Sequence, residues 1–148
     1  MSLVTAELFP SHQMLGTRLV SELGDAHSDL RATIQRSGSA VMICAGGEVD
    51  ASNESTWRAL LSEAAAIVTP PGVFVVDVNG LDFIGCCAYA ALTEEAHRCR
   101  RRGVDLRLVS RQPIVARIVA ACGLNGLLPV YPSANSALLT ATDGSFGY

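Results

Sequence analysis

Val73-Phe-Val-Val-Asp-Val-Asn-Gly-Leu-Asp-Phe-Ile-Gly-Cys-Cys-Ala88 decides the fold of this chain. Val73 to Val78 is an apolar run broken only by Asp77, as expected of a central strand covered on both faces. A short turn follows, and then a long helix begins. The turn places two adjacent thiols, Cys86 and Cys87, at that helix's N-terminus. Ala88, Leu92, Ala96 and Cys99 recur at core spacing along the helix, with Glu94, Glu95, Arg98 and Arg100 assigned to its outer side. Arg100-Arg-Arg102 and Gly103 end it, because cations complement the negative end of the helix dipole and glycine accepts the left-handed C′ position.

Upstream, Leu30, Ala32 and Ile34 alternate with polar residues, the period of a half-buried strand. Ser37-Gly38-Ser39 makes a turn, and Ala40 to Ala45 forms a second strand, so the pair is an antiparallel hairpin. Gly46 to Asp50 reads as a loop, and Asp50, Ser52 or Asn53 caps the next helix. Trp57, Leu60, Leu61, Ala64 and Val68 form that helix's apolar stripe, and Thr69-Pro-Pro-Gly72 stops it. Downstream come a strand at Leu106–Val109 and a helix opened by Pro113, whose buried face is Ile114, Val115, Ile118, Val119 and Cys122. Leu127 to Tyr131 gives a last short strand, and Ser133 to about residue 141 a final helix. The element order β-β-α-β-α-β-α-β-α implies one α/β domain, its mixed, mostly parallel sheet packed with helices.

Before the hairpin, Met14, Leu15, Leu19, Val20 and Leu23 line one face of a short helix stopped by Gly24. Residues 1–28 are read as an N-terminal extension, partly ordered, with a tail docked on the domain as the alternative. Residues 29–141 are the domain and 142–148 a frayed tail.

Composition narrows the function. At 148 residues the chain suits one core, with 49% hydrophobic and 17% charged residues. A net charge of −3 argues against a nucleic-acid footprint. No run is long enough to span a bilayer and no basic leader precedes an apolar stretch, so no membrane insertion is expected and the location is read as cytoplasmic. The five cysteines include no C-x₂-C pair, which speaks against zinc, and the count is odd. A Cys86–Cys87 bridge would be strained, and Cys86–Cys122 is disfavoured by topology. Cys99 and Cys122 are the neighbouring pair, both expected to face the core and stay reduced. Cys44 reads as a small core residue.

Catalysis lacks a convergent set of groups. His12 and His27 lie in the extension and His97 on an outer helix face. Eleven helical residues hold His97 about 16 Å from Cys86 along the axis. There is no phosphate loop or metal spacing, and Gly46-Gly47 alone is a weak signal. The chain reads as a binding module without catalytic residues or cofactors.

Gly47-Glu-Val-Asp50, Val75-Val-Asp-Val-Asn-Gly-Leu-Asp-Phe-Ile84, Gly103-Val-Asp-Leu-Arg-Leu-Val109, Ala121-Cys-Gly-Leu124 and Leu128-Pro-Val-Tyr131 resemble, in order and spacing, the STAS domain. More closely they are similar to bacterial anti-sigma factor antagonists, over residues from about 29 to 141. In that family the helix after the central strand begins Asp-Ser-Ser-Gly. The first Ser is phosphorylated by a kinase-like, ATP-binding anti-sigma factor, and phosphate there breaks the complex. The aligned Gly85, Cys86, Cys87 and Ala88 all depart from that pattern. Cys86 stands at the phosphoacceptor, Gly85 at the preceding Asp and Cys87 at the second Ser.

The resemblance implies a module that sequesters an anti-sigma factor and so regulates sigma-dependent transcription. A thiol there is no conventional phosphoacceptor, so the Ser switch is lost; a thiol at a helix start is instead a candidate for oxidation. The alternative is a STAS accessory subunit of a membrane transport complex. The expected contact surface joins Asp50, Ser52, Asn53 and Asp82 to the Gly85–Tyr89 corner, with Tyr89 as aromatic anchor. A homodimer is compatible with the same reading.

Overall fold

The computed structural model of the protein describes residues 15–24 and 29–139. Along the described chain the elements are α1 (Thr17–Leu23), β1 (Leu30–Ser37), β2 (Ala40–Val49), a 3₁₀ turn (Ala51–Asn53) and α2 (Glu54–Ile67). Then follow β3 (Gly72–Ile84), α3 (Cys86–Arg102), β4 (Val104–Val109), α4 (Pro113–Ala121) and β5 (Val130–Tyr131). Residues 134–139 are helical. The readings on residues 1–14, on His27, on the end of the last helix and on the tail lie outside the described residues.

The five strands form one sheet in the order β1-β2-β3-β4-β5. β1 and β2 pair antiparallel as the expected hairpin, with Leu30 opposite Gly47 and Ser37 opposite Ala40. Every later pairing is parallel. Alternation divides β3 between the two faces, as a strand of period two requires. Phe74, Val76 and Val78 join Ile34, Ile43, Leu106 and Leu108 in the main core, filled from the helix side by Trp57, Leu60, Leu61, Leu92 and Val115. Val73 and Val75 point the other way, into a smaller cluster with Val109 and Ala137 from the last helix. Buried Arg107 fastens that helix: its guanidinium donates to the Ala137 carbonyl at 2.7 Å and lies 5.7 Å from the Tyr131 ring centre.

Several boundaries differ from the sequence expectation. The Gly46–Asp50 loop is strand, for β2 continues to Val49 alongside β3. β3 likewise runs to Ile84, so the turn before α3 shrinks to Gly85. Two register shifts accompany this, between Cys44 and Gly46 and between Gly47 and Glu48. Each leaves an extra residue on β3, as a β-bulge does. β4 accompanies β3 only as far as Asp77, which pairs with Val109; from Val78 onward β3 has β2 alone as its neighbouring strand. Glu95, expected outside, is buried on the inner side of α3 and accepts from Arg98 at 2.8 Å. Ile114 and Cys122 are exposed instead of core-facing; α4 ends at Ala121, which leaves Cys122 as its C-cap, off the helical stripe, and at its other end α4 buries Val115 while the neighbouring Ile114 faces outward.

The basic triplet works at helix ends. Gly103 takes the left-handed conformation at φ 83°. Arg102 reaches across to α2 and donates to the carbonyls of Ala65 and Val68, 2.9 and 3.0 Å away, capping that helix's C-terminus.

α1 packs on the domain. Leu15, Leu19 and Leu23 recur every four residues, and all three are buried in the main core. A fully buried leucine contributes about 1.5–3 kcal/mol over an exposed one. Three such contacts hold a helix whose seven residues would be too few for stability in isolation.

Candidate functional site

Gly85 turns the chain from β3 into α3. Its N–H donates to the Val49 carbonyl at 2.9 Å, which ties the start of α3 to the end of β2. Without a side chain Gly85 makes no capping hydrogen bond, so the first turn of α3 lacks the side-chain cap an Asp would supply. A Cβ at this position would sit 3.2 Å from the Val49 carbonyl oxygen, 3.4 Å from the Phe83 ring and 3.7 Å from the Asp50 Cα. The corner and the Asp50 loop are therefore in contact.

Asp50 is held rigidly. Its carboxylate accepts from the Ser52 N–H at 2.9 Å and from the Ser52 hydroxyl, while Asn53 Oδ1 accepts from the Asp50 N–H at 3.0 Å. Asn53 also donates to the Glu48 carbonyl at 2.9 Å. This reciprocal capping box is what Asp-x-x-Asn provides before a helix. The Ser52 hydroxyl, and after it the Ser52 N–H, hold the Asp50 carboxyl below the usual carboxylate range. The expected grouping of Asp50, Ser52 and Asn53 beside Gly85 is thus present.

Cys86 is exposed, Cys87 half-buried and Ala88 fully buried, so Ala88 is not on the surface of the corner. Its carbonyl instead accepts from the Trp57 indole N–H at 3.2 Å, which pins the first turn of α3 to α2. Tyr89 is half-buried against the core. Burial, and after it the charge of neighbouring Cys86, raises the Tyr89 hydroxyl above its ordinary pKa. Farther along, Arg58 on α2 bonds Glu54 at 2.8 Å and Glu94 on α3 at 2.7 Å, bridging the two helices.

Asp82 is exposed at the second bulge, and Phe83 beside it is 52% exposed, opposite Glu48 on β2. Phe83 was missing from the sequence-based surface. The signal for it was a phenylalanine so close to a polar turn, but the sequence reading ends the strand at Val78, whereas β3 continues through Phe83 to Ile84.

The other thiols are removed from this corner. Burial, and after it the Glu95 charge, pushes Cys99 up to about 11. Burial and Asp77 raise Cys44, against a hydrogen bond with Thr33 that lowers it. All five cysteines are free.

Comparison with known proteins places this geometry. Residues 31–137 match the STAS domain model. The chain therefore belongs to the STAS domain family, and within it to the anti-sigma factor antagonists. It is 60% identical over 144 residues, 97% of each chain, to Rv2638 of Mycobacterium tuberculosis H37Rv, provisionally named an anti-anti-sigma factor. It is 61% identical over 109 residues to the anti-sigma-F factor antagonist RsfA of the same species, covering 74% of this chain and 85% of RsfA. An anti-sigma factor antagonist from Mycobacterium paratuberculosis shares the fold at TM-score 0.68 and 20% identity, covering 77% of this chain and 95% of that one. Unphosphorylated SpoIIAA shares it at TM-score 0.58 and 17% identity, covering 79% and 97%.

Proposed function

We propose that this chain is an anti-sigma factor antagonist that sequesters a kinase-like, ATP-binding anti-sigma factor and so frees a sigma factor for transcription. The docking surface is the Asp50 loop, Asp82, Phe83 and the Gly85–Tyr89 corner. One observation carries the reading: the chain is 61% identical over 109 residues to RsfA, an anti-sigma-F factor antagonist, and it exposes the Cys86 thiol at a corner whose Gly85 lies against the capped Asp50 loop.

Tyr89 and Phe83 supply the apolar contact of this surface and the ionised Asp50 a charge beside it. An aromatic anchor in an interface is commonly worth 2 kcal/mol or more. Tyr89→Ala is therefore expected to weaken binding by about 30-fold or more. Calorimetric titration against a panel of kinase-like, ATP-binding anti-sigma factors, together with the anti-sigma-F factor named for RsfA, tests both the reading and the anchor. No complex with any of them would refute the function; a complex indifferent to Tyr89→Ala would refute the anchor.

The switch is altered in kind. Phosphorylation acts by adding about −1.5 to −2 charges at one spot of an interface. A kinase aligned for a serine hydroxyl meets at Cys86 a larger, softer atom in a different place. Incubation of the wild-type chain with its partner and ATP is expected to leave residues 85–89 free of phosphate, and Cys86→Ser to acquire it. Stoichiometric phosphate on the wild-type turn, read by mass spectrometry, would overturn this. The exposure of Cys86 opens the thiol to oxidation as a substitute switch. That role ends if Cys86 is alkylated no faster than a cysteine in a free peptide.

A further inference from the structure

A proline leaves part of the β4 edge open. The Leu108 N–H donates to the Pro129 carbonyl at 2.9 Å, and the Ser110 N–H to the Tyr131 carbonyl at 3.0 Å. Alternate residues of a strand turn their peptide groups to the same side, so Leu106 also presents its N–H and C=O to this edge. The next rung of the ladder would need an N–H from residue 129, and proline has none. β5 pairs with Leu108 and Val109 alone. Among the described residues, the Leu106 peptide groups have no hydrogen bond across this edge.

The opening is a groove of about 180 Å³, lined by Arg100 of α3, by Asp105, Leu106 and Arg107 of β4, and by Gly126 and Pro129. Leu106 is 3% exposed, and a peptide N–H in such a place calls for a partner. Arg107 is 8% exposed. Of its five N–H donors, one goes to the Ala137 carbonyl and one to the Asp105 carboxylate at 3.2 Å; the others have no partner among the described residues. Arg100 donates to the Gly126 carbonyl at 2.6 Å. Asp105 is the one carboxylate of the lining, and its side chain is 67% exposed. The groove is therefore rich in donors and carries two cations against one anion.

We propose that this groove binds a small oxyanion that keeps a hydroxyl hydrogen, the chemistry of hydrogen phosphate. The planar guanidinium fork matches the oxygen spacing of phosphate, and Arg100 and Arg107 supply the opposite charge. The Leu106 N–H adds a donor fixed by the strand. The Leu106 carbonyl and Asp105 are acceptors, which a fully deprotonated anion leaves unanswered and a hydroxyl satisfies. Sulfate has the same shape as phosphate and no hydrogen at neutral pH. Ordinary ligand pockets measure about 300–1,000 Å³, so this groove is sized for an ion or a short ester and not for a nucleotide. Arg100 follows Cys86 on α3 by about 21 Å along the helix axis, so the site stands apart from the docking corner and does not rest on the proposed function.

The test titrates the full chain with sodium phosphate, glycerol phosphate and sodium sulfate at constant ionic strength, following the backbone amides by proton–nitrogen correlation spectra. Phosphate is expected to give saturable shifts centred on Leu106, Arg107 and Gly126, and to bind about ten-fold or more tightly than sulfate. Glycerol phosphate separates the sources: binding equal to that of phosphate assigns the site to a phosphate ester, and weaker binding assigns it to the free ion. Arg100→Gln changes an exposed side chain, with the melting temperature as control for folding, and is expected to weaken phosphate binding by about ten-fold or more. Asp105→Asn is expected to tighten it, since the repulsion goes while an acceptor oxygen stays. No saturable shift at Leu106, an equal response to phosphate and sulfate, or an affinity unchanged in Arg100→Gln overturns the proposal.

Discussion

Trp57→Ala is expected to lower folding stability by about 3–5 kcal/mol, the usual cost of removing a large buried aromatic side chain. Trp57 is completely buried and is the only tryptophan of the chain. Its ring fills the space between α2, α3 and the sheet, and its indole N–H holds the Ala88 carbonyl in the first turn of α3. A domain of this size has about 5–15 kcal/mol in total, so the variant is left near its folding threshold. Trp57→Phe separates the two roles. It keeps most of the ring and loses the hydrogen bond, worth about 0.5–1.5 kcal/mol. Urea denaturation followed by circular dichroism reads both variants without needing the tryptophan signal. An alanine variant within about 1 kcal/mol of wild type would show that α2 and α3 are held together by other contacts.

Gly47→Ala is expected to be the most damaging single methyl that can be added to the sheet. Gly47 has φ 98°, a region that side chains disfavour, and its added Cβ would lie 1.9 Å from the Asp29 carbonyl oxygen. That oxygen is not free to move, since it accepts from the Glu48 N–H at 2.8 Å. Backbone strain of about 1–3 kcal/mol and an overpacking cost of about 1–3 kcal/mol act together here. Gly38→Ala is the matched control: φ is 60°, but nothing lies within 4 Å of the new methyl, and the cost falls to about 1 kcal/mol. Equal losses at the two positions, measured by thermal melting, would contradict the account. The damage at Gly47 spreads, because Glu48 to Asp50 lead directly into the capping box.

The hairpin, the Trp57 stripe, the Asp50 cap and the Gly103 stop were legible because each depends on periodicity or on one residue's local chemistry. What escaped depends on neighbours distant in sequence. Gly46-Gly47 has the composition of a loop and becomes strand because β1 and β3 run on either side of it, with Gly80 allowing the backbones to approach. Phe83 belongs to a strand because β3 continues beside β2 past the point where local composition suggests a turn. Glu95 enters the interior because Arg98 accompanies its charge. At the N-terminus, the leucines at 15, 19 and 23 announce a helix face, but the groove receiving them is made by α2 and β1. In the candidate site, Asp50, Ser52 and Asn53 were grouped correctly by their capping chemistry, whereas burial of Ala88 follows from Trp57 thirty-one positions earlier.

The unequal lengths of β3 and β4 have a mechanical consequence. The corner stands at the tip of a two-strand cantilever, rooted where β4 ends and braced from one side by the Trp57 strut. The overhang is moored on its other side as well, where the Arg111 N–H donates to the Asn79 side chain at 2.8 Å, so a partner pressing on Cys86 bears on both halves of the sheet.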